Sequence, residues 1–325
     1  MKNKILVSGA AGFIGSHLVE LLIKTGYNVK AFVRYNSKNN WGWLENSPYK
    51  NDIEFFQGDI RDFDAVNSAL HGCNSVFHLA ALIGIPYSYI SPLAYIRTNM
   101  EGTYNVLESS KQNNLENIIV TSTSETYGSA QYTPMDENHP LVGQSPYSAT
   151  KISSDTLALS YHKSFKLPVK VVRPFNTYGP RQSARAIIPT VISQILNNEK
   201  TIELGSLTPK RDFTFVKDTI SGFLEISKKN SLEGTVTNIG MNSEVTMGDL
   251  VKKISHLMGK KINIKSDQDR VRPESSEVDR LICDNTKIKS VTNWEPQYSL
   301  EKGLSKTIQW FINNIKDYKH KIYNV

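Results

Sequence analysis

Three constellations in this chain are built from residue types that do chemistry. The first is Thr123-Ser124-Glu125 within IVTSTSETYG, where a run of small hydroxyl residues gives way to a carboxylate. The carboxyl end of a parallel strand opens onto a ligand crevice, so Glu125 stands where an acid or base would meet a substrate. A surface carboxylate capping the following loop is the plain alternative. The second is Tyr147-Ser148-Ala149-Thr150-Lys151. Four residues apart on a helix, a phenol and an ammonium share a face, and the lysine charge would lower the tyrosine pKa towards neutral pH, where a phenolate serves as a base. Taken alone, that spacing is a common accident of surface pairs. The third is GAAGFIG, with Gly9, Gly12 and Gly15 between the run ILVS and the helical pattern SHLVELLIKTG. Glycines so placed permit a tight turn and let backbone N–H groups approach a pyrophosphate, which points to a dinucleotide site, although such turns also serve packing.

The next strand of a dinucleotide site normally ends in an acid that binds the adenosine ribose. Here the segment reads AFVRYNS, with Arg34 and no acid. A guanidinium suits a 2′-phosphate, so the expected cofactor is NADP or NAD, with NADP favoured. Asp59 and Ile60, in GDIRD, are placed to hold the adenine edge; Asp59 would equally serve as a helix N-cap. His78 reads as a structural residue beside the cofactor. Metal-ligand spacing of cysteine or histidine is absent, so no metal is expected.

The elements that must position these groups follow from hydrophobic periodicity. KILVSG, VKAFVR, IEFFQG, SVFHLA, NIIVTS and VKVVRP read as strands, and SHLVELLIKTG, DFDAVNSALHG and NMEGTYNVLESSKQN read as helices between them. Such alternation predicts an α/β fold, a doubly wound parallel (Rossmann) sheet, with a smaller C-terminal α/β lobe. Residues 1–180 are expected to form the dinucleotide domain, with later returns near 212–242 and 281–292, and residues 181–325 mainly the second lobe. Helices are read in IIPTVISQILNN and MGDLVKKISHLMG.

The chain has 325 residues, 39% hydrophobic and 21% charged, which suits a full globular core and excludes a minimal binding module. Its net charge of +7 comes from scattered lysines, many in the last third and in the tail KDYKHK, so a solvated basic face is expected and no nucleic-acid partner. The opening MKNKILVSGAAGFIG resembles a secretory leader only until His17 and Glu20 interrupt it, and no apolar run is long enough for a membrane span. Two cysteines, Cys73 and Cys283, make no disulfide framework, which favours a reducing cytoplasm.

Taken in order, GAAGFIG, GDIRD, HLAA (78–81), TNMEGTYNVLE, the Tyr147/Lys151 pair, RPFNTYGPRQ, RDFTFVKD and NWEP resemble the extended short-chain dehydrogenase/reductases that act on nucleotide sugars. The resemblance spans nearly the whole chain. Within that family, Thr123-Ser124-Glu125 is similar to the triplet of GDP-mannose 4,6-dehydratases and also to that of UDP-glucuronate decarboxylases, whereas sugar 4-epimerases carry small or hydroxyl residues there. SPYSATK is closer to the dehydratase form. AALIGIPYSYISP resembles the dehydratases that act on UDP- or GDP-N-acetylglucosamine in bacterial legionaminic acid biosynthesis.

The resemblance implies an NDP-sugar 4,6-dehydratase. Tyr147, held by Lys151 and Thr123, would take the C4 hydroxyl proton as that carbon is oxidised; Glu125 would remove the C5 proton; and water would leave from C6, helped by Glu125 or Ser124. Phe13, Ile14, Leu79, Ala80, Ala81 and Asn99 join the glycines, Arg34, Asp59, Ile60, Tyr147 and Lys151 as implied cofactor contacts. Asn176, Arg181, Arg211, Arg272 and Glu274 lie where relatives hold the diphosphate and nucleoside, and Tyr87, with Tyr89 and Ile85, lines the sugar or packs. A homodimer through helices spanning roughly 97–113 and 147–163 is implied as well. The alternatives are a decarboxylase, an epimerase, and, outside enzymes, a non-catalytic NADP-binding regulator, which would have no need of the Tyr147/Lys151 pair.

Overall fold

Each of the six β-rich runs forms a strand of one sheet: β1 (Lys4–Ser8), β2 (Asn28–Val33), β3 (Ile53–Gln57), β4 (Ser75–His78), β5 (Asn117–Thr121) and β6 (Val169–Pro174). The computed structural model describes residues 4–267 and 270–318, so the end of the basic tail KDYKHK lies outside the described residues. A seventh strand comes from much later in the chain, after the short β7 (Asn176–Tyr178), β8 (Thr201–Leu204), β9 (Lys210–Arg211) and β10 (Phe213–Phe215): it is β11 (Val236–Ile239). The order is β11-β6-β5-β4-β1-β2-β3, and every neighbouring pair is parallel. The order reverses between β1 and β4, which opens a crevice beyond their carboxyl ends.

Alternation along the strands builds two cores. Ile5 and Val7 of β1 join Val29, Ala31, Phe77, Ile119 and Val172 in one apolar cluster, while Leu6 joins Phe32, Val76, Ile118, Val120 and Val171 in another. Successive side chains point to opposite faces, so a strand buried on both sides must be apolar throughout, as ILV in β1 is. Helices α1 (Phe13–Lys24) and α8 (Val216–Ser227) pack together on one face. On the other lie α2 (Phe63–Leu70), α5 (Gly102–Gln112) and α6 (Pro146–Phe165), with two short helices, α3 (Ile85–Ile90) and α4 (Pro92–Tyr95), leading into a π-turn at Ile96–Glu101.

The remaining chain forms small sheets and helices over the crevice. β7 pairs with β10, β9 lies between β12 (Val245–Thr246) and β14 (Arg280–Leu281), and β8 pairs with β13 (Asn263–Ser266). Helices α7 (Ile187–Leu196), α9 (Met247–Leu257), α10 (Thr286–Val291) and α11 (Leu300–Asn314) complete it. Among the described residues, no helix is long and apolar enough to cross a membrane.

Candidate active site

The crevice is a cleft of about 970 Å³ running from the β1–α1 turn to the small sheets. Its floor is bare backbone. Gly9 has φ +70°, and a Cβ there would lie 2.8 Å from the Ala80 amide nitrogen. A Cβ on Gly15 would lie 2.2 Å from the Gly9 carbonyl oxygen, so the turn closes only without side chains. Helix α1 starts at Phe13 with no side-chain cap, which leaves its first N–H groups facing the cleft lined by Gly9, Gly12, Phe13, Ile14 and Gly15. A dinucleotide pyrophosphate fits this cradle. Leu79, Ala80 and Ala81 form the opposite lip, and Arg34, Asp59 and Ile60 line the end beyond β2 and β3.

Asp59 does not cap a helix. Its carboxylate accepts from the backbone and side chain of Arg61, and the Arg61 hydrogen bond holds it down to about 2. The cap of α2 is Asp62, which accepts from the amides of Asp64 and Ala65. His78 is fully buried: Ser8 Oγ lies 2.8 Å from its Nδ1, and Thr103 Oγ1 lies 3.2 Å from its Nε2. The Ser8 oxygen already accepts the amides of Leu79 and Ala80, and Thr103 already donates to Asn99 O. Ser8 must therefore donate to Nδ1, and the neutral ring carries its proton on Nε2. Asn99 sits behind the cleft wall, where it bonds the Leu82 amide and carbonyl and Thr150. It shapes the wall without lining it.

Past the end of β5, Thr123 caps the short turn Ser124–Tyr127. Thr123, Ser124 and Glu125 line the cleft together with Tyr147 and Lys151 from the first turns of α6, which begins at a Ser145/Ser148 capping box and Pro146. Tyr147 bonds the Thr123 hydroxyl, yet its pKa is pushed well above the usual phenol value, by burial first and then by the Glu125 carboxylate. The expected lowering by Lys151 is not present in this arrangement. Lys151 is itself buried, its Nζ donates to the Thr121 carbonyl at 2.6 Å, and burial pulls its pKa down.

Across from Glu125 stand two arginines. Arg272 Nη1 lies 3.9 Å from Glu125 Oε2 and 3.6 Å from Glu277 Oε1 and is buried without a hydrogen bond to either. Arg211 Nη2 donates to Glu277 Oε1 at 3.3 Å. Asn176 also lines the cleft, with a buried Oδ1 lacking a partner. Buried donors and acceptors left unsatisfied at a cleft wall are prepared for a polar ligand, and paired guanidinium groups suit a diphosphate. Tyr87 and Ile85 line the opposite wall, while Tyr89 bonds Ser276 and does not.

Two expected ligand contacts fall elsewhere. Arg181 turns back onto α1, bonding Ser16 and pairing with Glu20, because a carboxylate on that helix claims its guanidinium. Glu274 lies exposed on the short turn Glu274–Ser276; Glu277, three residues on, enters the cleft instead. Glu277 and Arg185, which also lines the cleft, were absent from the sequence reading; RPESSEV holds both glutamates and gives no means of choosing between them.

The family model for GDP-mannose 4,6-dehydratase matches residues 6–307, and the chain belongs to that family. It is 32% identical over 314 residues to a dTDP-glucose 4,6-dehydratase of Streptomyces antibioticus, covering 95% of this chain and 92% of that one. It is 31% identical over 319 residues to a UDP-glucuronate 4-epimerase of Thermodesulfobacterium geofontis, covering 96% and 97%. Among solved structures, a dTDP-glucose 4,6-dehydratase from Streptomyces venezuelae with NAD bound superposes with a TM-score of 0.86 at 27% identity, covering 97% of this chain and 98% of that one. A UDP-glucuronic acid 4-epimerase from Bacillus cereus with UDP-glucuronic acid and NAD superposes at 0.85 with 30% identity, covering 97% and 99%.

Proposed function

We propose that this protein is an NAD(P)-dependent nucleotide-sugar 4,6-dehydratase, which converts a nucleotide-activated sugar to its 4-keto-6-deoxy form. The observation that carries the reading is that the Glu125 carboxylate lines the same cleft as Thr123, Tyr147 and Lys151. A family member that only moves hydride at C4 has no use for a second base. The nicotinamide, when bound, supplies hydride acceptance at C4 and hydride return at C6.

The chain's own residues do the rest. Tyr147, hydrogen-bonded to Thr123, takes the C4 hydroxyl proton, and Lys151, one helical turn on, lines the cleft beside it with its Nζ on the Thr121 carbonyl. The 4-ketone acidifies C5–H, and Glu125 removes that proton. The C6 hydroxyl then departs as water, taking its proton from Glu125 or through Ser124, which is buried against the same wall, and the proton that Tyr147 took from the C4 hydroxyl returns to C5, which leaves the site as it began. Arg211, Arg272 and Asn176 hold the diphosphate, and the aliphatic stretch Leu82–Tyr87 packs on the sugar.

Residues 1–180 with the later returns hold the cofactor in this reading, and residues 181–325 mainly the nucleotide. The finer assignment is to UDP- or GDP-N-acetylglucosamine on the way to legionaminic acid; the apolar Leu82, Ile83 and Ile85 on the cleft wall support a sugar with an acetamido methyl. NADP is favoured because Arg34 lines the adenosine end with Arg61. Two buried free thiols, Cys73 and Cys283, support a cytoplasmic location.

Incubating the purified protein with UDP-N-acetylglucosamine, GDP-N-acetylglucosamine, GDP-mannose and dTDP-glucose tests the reading by product mass. The expected product is lighter by one water. Release of carbon dioxide from a nucleotide uronate would replace the reading with a decarboxylase, and a product of unchanged mass with inverted C4 would replace it with an epimerase.

A further inference from the structure

A buried ion pair lies directly behind the two catalytic segments. Asp155 and Arg173 are each 2% exposed, and Arg173 Nη2 donates to Asp155 Oδ2 at 2.7 Å. Both also hold Ser122: its hydroxyl donates to Asp155 Oδ2 at 2.5 Å, and Arg173 Nε donates to that hydroxyl at 3.3 Å. Ser122 immediately precedes Thr123-Ser124-Glu125. On the far side of that triplet, Tyr127 offers its ring to the Arg173 guanidinium at 4.5 Å and donates its hydroxyl to Asn238 at 2.8 Å. The triplet is thus gripped at both ends by one arginine. Asp155 itself continues the stripe of α6 that carries Tyr147 and Lys151, one turn beyond the lysine.

Such a pair is a poor device for stability. Desolvating two charges is costly, and apolar side chains of equal volume often do as well or better. What apolar residues cannot supply is direction and field. Asp155 Oδ1 has no hydrogen-bond partner, so part of its charge is left to act through space.

We propose that Asp155 and Arg173 are positioning residues: they pin the segment bearing Thr123 and Glu125 to the helix bearing Tyr147 and Lys151, and the Asp155 carboxylate sets the field in which those two exchange protons. This rests on the dehydratase reading for Glu125, but not for Tyr147. The charged and titratable groups around Tyr147 and Lys151 are Glu125 beyond β5, Tyr95 on α4, His78 on β4, and Asp155 with its partner Arg173 on β6. Burial pulls Lys151 down and Asp155 opposes it; burial pushes Tyr147 up, Glu125 and Tyr95 add to that, and Asp155 adds further. His78 is held neutral by burial, and Arg173 is kept charged by its partner.

The test uses the full-length protein with cofactor and the panel sugar that it oxidises, following reduced-cofactor absorbance in a single turnover across pH. Removing the charge with Asp155→Asn should lower the pKa of both Tyr147 and Lys151, so both limbs of the profile should move to acid together. Asp155→Glu should leave them near their native positions. A profile that keeps its native midpoints and loses only amplitude would overturn the proposal. Should Asp155→Asn fail to fold, Arg173→Lys keeps the charge and loses the fork: water loss should then slow about tenfold relative to C4 oxidation, so that reduced cofactor accumulates. Equal slowing of both steps would overturn the positioning role. Since C4 oxidation precedes water loss, failure of the dehydratase reading shows in product mass, and failure of the pair shows in pH or in the ratio of steps.

Discussion

Glu125 and Gln have the same shape, and only the carboxylate can take a proton. In Glu125→Gln, C4 oxidation through Tyr147 should survive while elimination falls by about 10²- to 10⁴-fold. Mass spectrometry and absorbance should show reduced cofactor with a 4-keto sugar that has lost no water; dehydration at the native rate would remove Glu125 from the mechanism. Arg34 offers a second test at this scale. It is exposed at the adenosine end of the cleft, so Arg34→Asp should shift preference towards NAD by repelling a 2′-phosphate and accepting ribose hydroxyls. Titration with both cofactors checks this, and an unchanged ratio would dissociate Arg34 from cofactor choice. Why Glu277 and not Glu274 reaches the ligand space is also a matter of single residues: Glu274 opens the short turn Glu274–Ser276 and is exposed, whereas Glu277, just past its end, lines the cleft.

At the scale of elements, the adjacent helices α3 to α6 carry exposed apolar side chains. Ile90, Leu93, Ile96, Tyr104 and Phe165 are all solvent-exposed. A homodimer that buries these side chains, with α5 and α6 at its centre, is the expected assembly. Light scattering should give twice the chain mass at micromolar protein, and Leu93→Arg with Ile96→Arg should give the monomer; a native monomer would exclude the dimer. The strands and long helices were legible in the sequence because period-2 and period-3.6 patterns survive in ILV and SHLVELLIK without tertiary help. The short helices α3 and α4 were not: IPYSYISPLAY carries two prolines and too few turns for a pattern, and packing against α6 decides its shape. That Thr123, Glu125, Tyr147 and Lys151 line one cleft was readable because motif spacing sets them apart. The Asp155–Arg173 pair was not, since its partners are 18 residues apart and meet only in the folded core.

For the whole molecule, acid is the weak side. Burial lowers His78 to about 3 and His17 to about 4, from 6.5. Both are neutral when folded, and the unfolded chain takes up protons first as pH falls. Their contribution is therefore fully present above pH 6.5 and is lost progressively towards pH 4 and then 3, at about 1.4 kcal/mol per pH unit for each histidine. Thermal denaturation should show melting temperature falling from pH 7 to pH 5, with a shallower slope in His78→Asn. An identical slope in the variant would place the acid lability elsewhere.

The strand β11 has a bearing on how the polypeptide comes into being. It docks beside β6 but is made more than sixty residues after it, with β7 to β10, α7 and α8 laid down in between. During synthesis, β6 emerges as an unpaired border with free amides and carbonyls, a template for any passing extended chain. Residues 1–180 are thus not a separable module, since β11 completes their sheet. A ribosome must reach residue 239 before the first sheet is sealed, so truncation after residue 180 would leave a fragment inclined to pair with its own kind, and chaperone protection matters most in that interval.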